Sequence, residues 1–330
     1  MSNKSSTWYG VNLASERLGA KAIYASDDFF APKERMLQDQ DAVFIEGKYD
    51  DNGKWMDGWE SRRKRSEGYD FCIVKLGVSG QINALDIDTR HFTGNYPPAA
   101  LVQACYSLTD PDADTNWIEI TDTVALQGNQ QHIVHVESDQ VFTHVKLNIF
   151  PDGGVARLRV YGQPDIDWQA VDTSKEIDLL ALVHGGRAIA TNDEHFGSMH
   201  NLNLPGKSLN MGDGWETRRR REPGNDWVIM ALGHPGEISS IQIETSFFKG
   251  NFPDSCAIQF ANIDDLPDSS LAAQSLYWQE LLPKQPLKAD NEHLFQEAVL
   301  KVGRVTHIRL NIFPDGGISR VRLFGKPSFD

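Results

Sequence analysis

The sequence predicts an all-β protein: two tandem jelly-roll β-sandwich domains produced by internal duplication. Three observations carry this. Long blocks of the chain occur twice in the same order. The apolar segments are short, rich in β-branched and aromatic residues, and punctuated by Gly, Pro and Asp. No segment shows a long amphipathic helical period.

The duplication runs nearly the length of the chain. VNLASERLGAKAIYASDDFFA (Val11–Ala31) lines up with IDLLALVHGGRAIATNDEHFG (Ile177–Gly197), and DGWESRRKR (Asp57–Arg65) with DGWETRRRR (Asp213–Arg221). GQINALDIDTRHFTGNYP pairs with GEISSIQIETSFFKGNFP, and THVKLNIFPDGGVARLRVYG (Thr143–Gly162) with THIRLNIFPDGGISRVRLFG (Thr306–Gly325). The first copy is ten residues longer between Ala31 and Asp57, and the second seven residues longer between Pro253 and Thr306. Both differences fall in polar or Pro-rich stretches, where surface loops absorb length at little cost. The domains are expected at residues 8–165 and 176–330, with the boundary in Gln163–Lys175. Two repeats of this size are duplicated domains, since solenoid units are only about 20 to 50 residues long.

Within each copy, segments such as DFCIVKLG, INALDIDT, ALVQACYSL, HIVHVES and HVKLNIF read as strands. The PDGG tetrapeptides, Pro151–Gly154 and Pro314–Gly317, suit a tight turn: Pro presets φ, Asp bonds locally and Gly accepts positive φ. Each is expected to join its two flanking strands as an antiparallel pair. Many short strands with such turns favour a sandwich of jelly-roll type.

Composition narrows the function. A chain that is 40% hydrophobic and 24% charged can bury a core in each copy. Its 32 Lys and Arg against 46 Asp and Glu leave a net charge of -14, which repels polyanions. Nucleic acid and membrane are therefore not expected as partners. The N-terminus lacks a basic start followed by an apolar run, and no segment approaches the roughly 18 apolar residues a membrane span needs. The chain reads as soluble and cytoplasmic. Cys72, Cys105 and Cys256 stand singly in apolar segments and read as buried structural thiols rather than a zinc site or a disulfide framework.

The repeated DGWE phrase carries the chemistry worth explaining, because a packed core needs none of its charges. Three readings compete: a brace in which Arg pairs with acids, a nucleic-acid patch, and an anion site in which the planar Arg fork grips a carboxylate. The acidic total opposes the second. If the phrase is extended, Glu60, Arg62 and Lys64 share one face and Ser61, Arg63 and Arg65 the other. SDDFF (Ser26–Phe30) matches NDEHF (Asn192–Phe196), which places Asp27 and Asp28 opposite Asp193 and Glu194. Such paired acids bind a divalent ion, act as acid and base, or are simply solvated. The copies differ at two places: Phe29 faces His195, and His91 faces Phe247. His132, His135, His144 and His307 lack ligand spacing and read as structural. There is no P-loop, GxGxxG, HExxH or GxSxG, so catalysis would rest on acids, arginines and His.

The tandem DGWE phrases, the SDDFF/NDEHF pair, the GNYP/GNFP pair and the doubled NIFPDGG together resemble the allantoicase (allantoate amidinohydrolase) family from Trp8 to Pro327. Ser61 against Thr217 is a mild departure that keeps a hydroxyl. The resemblance implies a galactose-binding-like topology, a homo-oligomer, and hydrolysis of allantoate to (S)-ureidoglycolate and urea in purine breakdown. Allantoate carries a carboxylate and two ureido groups on one carbon. Arg62, Arg63, Arg218 and Arg219 are the expected carboxylate ligands. Glu60, Glu216, Asp28, Glu194 and His195 are the candidates for proton transfer to the departing urea or from the remaining ureido group or water. Asn148 and Asn311 are candidates for the ureido groups, or else stabilise the adjacent turns. No cofactor is expected and a divalent metal is left open. The alternative from another class is a non-catalytic tandem sandwich that binds carbohydrate or a small anion.

Overall fold

The computed structural model describes residues 10–264 and 266–329. Trp8 and Tyr9, where the first domain was expected to begin, and Asp330 lie outside them. The chain divides into two compact units, Met1–Ile166 and Asp167–Asp330.

Each unit is organised by one strand of 19 residues, Asp70–Asp88 in the first and Asp226–Glu244 in the second. In the first unit its leading half pairs antiparallel with Lys21–Ala25 on one side and Val141–Phe150 on the other. Its trailing half pairs with Gln131–His135 and Arg157–Pro164. Val141–Phe150 continues to Ala99–Cys105, and Arg157–Pro164 to Val11–Asn12. The second unit repeats this plan: Arg187–Thr191 and Arg304–Phe313 flank the leading half, Glu292–Phe295 and Arg320–Pro327 the trailing half. Within one continuous sheet the long strand thus changes partners along its length, at a corner where, in the second unit, the ladder to Arg304–Phe313 jumps from Ala231 to Gly236. Gly233 sits in that corner, and a Cβ there would fall 1.6 Å from the His184 carbonyl oxygen.

The alternation of side chains explains the core. In the second unit Val228 and Met230 from the leading half meet Ile241 and Ile243 from the trailing half. Ile308, Leu310, Ile312, Val321 and Leu323 from the flanking strands complete the same cluster. In the first unit Val74, Leu85, Ile87, Val145, Leu147, Leu158 and Val160 are all fully buried. Each such side chain contributes about 1.5 to 3 kcal/mol by leaving water. The three cysteines are buried and unpaired. The one α-helix among the described residues, Asp268–Gln274, lies in the stretch by which the second copy is longer.

The all-β, tandem reading holds, but the turn expectation needs correction. Val141–Phe150 and Arg157–Pro164 do not pair with each other; both pair with the long strand. After the cis Phe150–Pro151 and Phe313–Pro314 peptides, the chain enters two-residue ribbons. In these, Gly154–Val155 pairs with Trp59–Glu60, and Gly317–Ile318 with Trp215–Glu216. The PDGG turn therefore docks the DGWE phrase onto the sandwich. Gly153 and Gly316 need to be glycine there, with φ of 144° and 136°.

Candidate active site

The first, third and fifth residues of each phrase are a brace. Asp57 is buried and its carboxylate meets the fully buried Arg157 guanidinium at 2.8 Å; Asp213 meets Arg320 at 3.0 Å. Trp59 and Trp215 are also fully buried, and each indole donates to the backbone carbonyl of Asp27 or Asp193 at 2.8 Å. Ser61 and Thr217 exchange hydrogen bonds with Gly153 and Gly316, closing the PDGG turn. Only Trp59–Glu60 and Trp215–Glu216 are strand, so the arginines that follow are free of any ladder.

Those arginines alternate. Arg62 binds Asp27 through Nε (2.7 Å) and Nη2 (2.6 Å), while its amide donates to the same carboxylate at 3.0 Å. Arg218 repeats the arrangement on Asp193, at 2.7 Å through Nε and 3.1 Å through its amide. Burial opposes ionisation of Asp27, but the Arg62 guanidinium and amide and the Phe29 amide together hold its carboxyl below the usual range. Lys64 reaches the buried Asp70, and Arg220 the buried Asp226 at 2.7 Å. The amides of Lys64 and Arg220 donate to Asp152 and Asp315 of the PDGG turns at 2.7 and 2.8 Å. Arg63, Arg65, Arg219 and Arg221 are exposed and make no hydrogen bond or ion pair among the described residues.

In the second unit this geometry borders a water-accessible cavity of about 310 Å³ lined by Asn192, Asp193, Arg218–Arg221, Glu222 and Asp226. Asp193 and Asp226 each occupy one guanidinium, and Asn192 also donates to Asp226 at 2.7 Å. Among the described residues, that leaves the Arg219 and Arg221 guanidiniums and the Glu222 carboxylate without a hydrogen-bond or ion-pair partner. Such a site offers two cationic forks to an anion and one carboxylate able to move a proton.

The other expected residues disperse around it. Glu60 and Glu216 are half-buried and accept from Asn95 and Asn251 of the GNYP and GNFP segments. Burial pushes the Glu60 carboxyl up, Asn95 opposes this, and the Asp50 charge adds to it. Asp28 turns to Lys33 at 3.2 Å, and Glu194 accepts from the Met199 amide at the start of the short helix Met199–Asn201. The acid pairs therefore diverge, and among the described residues no three His, Cys, Asp or Glu side chains gather as a metal-ligand group. His195 is exposed beside Phe196, with its amide on Asp193. Asn148 donates to Leu101, Gln103 and Lys146, and Asn311 to Gln259 while accepting from Asn225 and Arg309. Neither bonds the PDGG turn; both belong to networks on the sheet. His132 bridges the Ile87 carbonyl and the Gln127 amide, as His293 bridges Ile243 and Lys288, which are structural roles.

Sequence reasoning passed over Asp70, Asp226, Asn95, Asn251, Asp152, Asp315 and Glu222. All but Glu222 were findable, because each is a polar residue that recurs at the matching position of the other copy. Glu222 has Ser66 opposite it and gave no such signal.

The comparisons with known proteins agree with this duplicated architecture. A family model described as "Allantoicase repeat" matches twice, at residues 11–165 and 177–328. A probable allantoicase of Photobacterium profundum is 59% identical over 316 residues, 96% of both chains. One from Pseudomonas fluorescens is 56% identical over 319 residues, again 96% of both. Among solved structures, the allantoicase of Saccharomyces cerevisiae superimposes with a TM-score of 0.79 at 32% identity, covering 97% of this chain and 94% of that one. With two matched repeats and relatives this similar end to end, the chain belongs to the allantoicase family.

Proposed function

We propose that the chain hydrolyses allantoate to (S)-ureidoglycolate and urea, and that the cavity of the second unit holds the substrate. The observation that carries the placement is the pair of unpartnered guanidiniums, Arg219 and Arg221, on a cavity of about 310 Å³. That volume is at the small end of ligand sites and suits a small ureide. The substrate carboxylate lies against the arginine forks, leaving the central carbon and its two ureido arms in the cavity.

Net, one C–N bond at the central carbon breaks and one C–O bond forms. The hydroxyl of water joins carbon, and its second proton ends on the departing urea nitrogen. Two proton transfers serve this: one from water or the retained ureido N–H to a base, and one to the leaving nitrogen from an acid. Glu222 is the lining carboxylate not taken by an ion pair. His195 stands two residues from Asp193, on the loop that Asp193 ties to the phrase. Each positioned proton transfer typically contributes about 10²- to 10⁴-fold. Asp193 and Asp226 position cations, and Asn251 donates to Glu216. No step here calls on a metal.

Buried unpaired thiols and the acidic surface suit a reducing cytoplasm. No helix among the described residues is long and apolar enough to cross a membrane. The exposed Leu276 and Tyr277, outside the core, suit association of copies into a homo-oligomer. The deciding experiment is urea release from allantoate by the purified chain, with and without chelator. Release in both conditions is expected; none in either, nor with added divalent metal, would sink the assignment.

A further inference from the structure

The first unit reproduces the pairing of the second unit's cation framework. Arg62 takes Asp27 as Arg218 takes Asp193, and Lys64 takes Asp70 as Arg220 takes Asp226. The backbone amides that hold the phrase to the PDGG turn differ by only a tenth of an ångström, 2.7 Å to Asp152 and 2.8 Å to Asp315. Ser26 donates to Asp70 at 2.8 Å where Asn192 donates to Asp226. As with Arg219 and Arg221 in the second unit, Arg63 and Arg65 are exposed and make no hydrogen bond or ion pair among the described residues.

Fold requirements account for Asp57, Trp59 and Ser61, which are buried and bonded. They do not account for Arg63 and Arg65, which are exposed and make no hydrogen bond or ion pair among the described residues. Two neighbouring guanidiniums without an acid repel each other, and an anion between them removes that repulsion. What differs is the proton-transfer side. Phe29 replaces His195, and its ring takes the Arg62 guanidinium at 5.0 Å. Ser66 replaces Glu222, with the next acid one residue on at Glu67.

We infer that the first unit carries a second carboxylate-binding site for a small ureide carboxylate, formed by Arg63 and Arg65 of the segment that the Asp27–Arg62 and Asp70–Lys64 pairs anchor. This rests on reading the cavity of the second unit as a carboxylate site.

The test counts binding events per chain by isothermal titration calorimetry. The probe is N-carbamoylglycine, which has one carboxylate and one ureido group on one carbon and no second ureido group to expel. The wild-type chain is expected to bind two molecules. The double variant Arg63→Ala, Arg65→Ala should bind one, as should Arg219→Ala, Arg221→Ala. All four side chains are exposed and unpaired, so melting temperatures should confirm that both variants fold. One molecule per wild-type chain, kept by the first variant and lost by the second, overturns the inference, as does no binding at all. Urea release separates the two readings. A chain that releases urea but binds one probe loses only the second site. A chain that binds two probes but never releases urea loses the enzyme reading and keeps both sites.

Discussion

Truncating Arg219 to alanine separates recognition from stability more cleanly than any other change in the phrase. The side chain is exposed and makes no hydrogen bond or ion pair among the described residues. Its loss should therefore change folding stability by no more than about 0.5 kcal/mol. Removing a cation that holds a substrate carboxylate costs roughly 2 to 5 kcal/mol in recognition. The cavity is open to water and Arg221 remains beside it, so the low end applies. About 2 kcal/mol corresponds to a fall in kcat/KM of roughly 30-fold. The carboxylate is equally charged in substrate and transition state, so most of the fall should appear in KM. Urea release measured across allantoate concentrations reads the effect, with a thermal melt alongside. Arg218→Ala is the contrasting case. That guanidinium pairs with Asp193, and its side chain is 70% exposed. Such a pair is worth about 0 to 1 kcal/mol, or at most roughly 2 to 4 °C of melting temperature in a domain of this size. If Arg219→Ala keeps full kcat/KM while Arg218→Ala only melts earlier, the arginines are a brace and the carboxylate assignment is wrong.

Three further perturbations test the supporting structure. Arg157→Ala strands the buried Asp57 carboxylate, so the first unit should lose about 3 to 5 kcal/mol in denaturant unfolding; a loss below 1 kcal/mol would contradict the brace. Thr217→Val leaves the Gly316 amide without its side-chain acceptor and should cost about 1 to 3 kcal/mol, an effect that Thr217→Ser should largely restore. Asp86 is buried, and burial followed by the Asp88 charge pushes its carboxyl up to about 6 from 3.8. The native state then holds a proton that the unfolded chain has already released, so stability present at low pH is lost as pH rises through about 6. Asp86→Asn, which retains an acceptor for Gln131, should melt higher than wild type at pH 7 and flatten the pH dependence between 4 and 6. A lower melting temperature at pH 7 would reverse that reasoning.

Much of the molecule is legible in its sequence because the relevant signals are local or repeated. The two-residue alternation of strands, the Gly and Pro punctuation and the doubled phrases need no coordinates to be read, and together they indicate an all-β duplication and the allantoicase resemblance. The same doubling singled out Arg218 and Arg219, which line the cavity, but not Arg221, which lines it too. What the sequence left open is which partner each charge chooses. Asp27 and Asp28 are neighbours in the chain, yet one holds Arg62 and the other Lys33. Likewise Asp57 selects Arg157, a hundred residues away, through burial that no spacing announces. The PDGG turn looked like a hairpin because its flanks alternate correctly. It is not one, because a single long strand offers both flanks a better edge. Composition and period determine that strands form and which face they bury. Only the packed chain decides which of several similar ions lose their water together, because pairing depends on distances set by the whole sandwich.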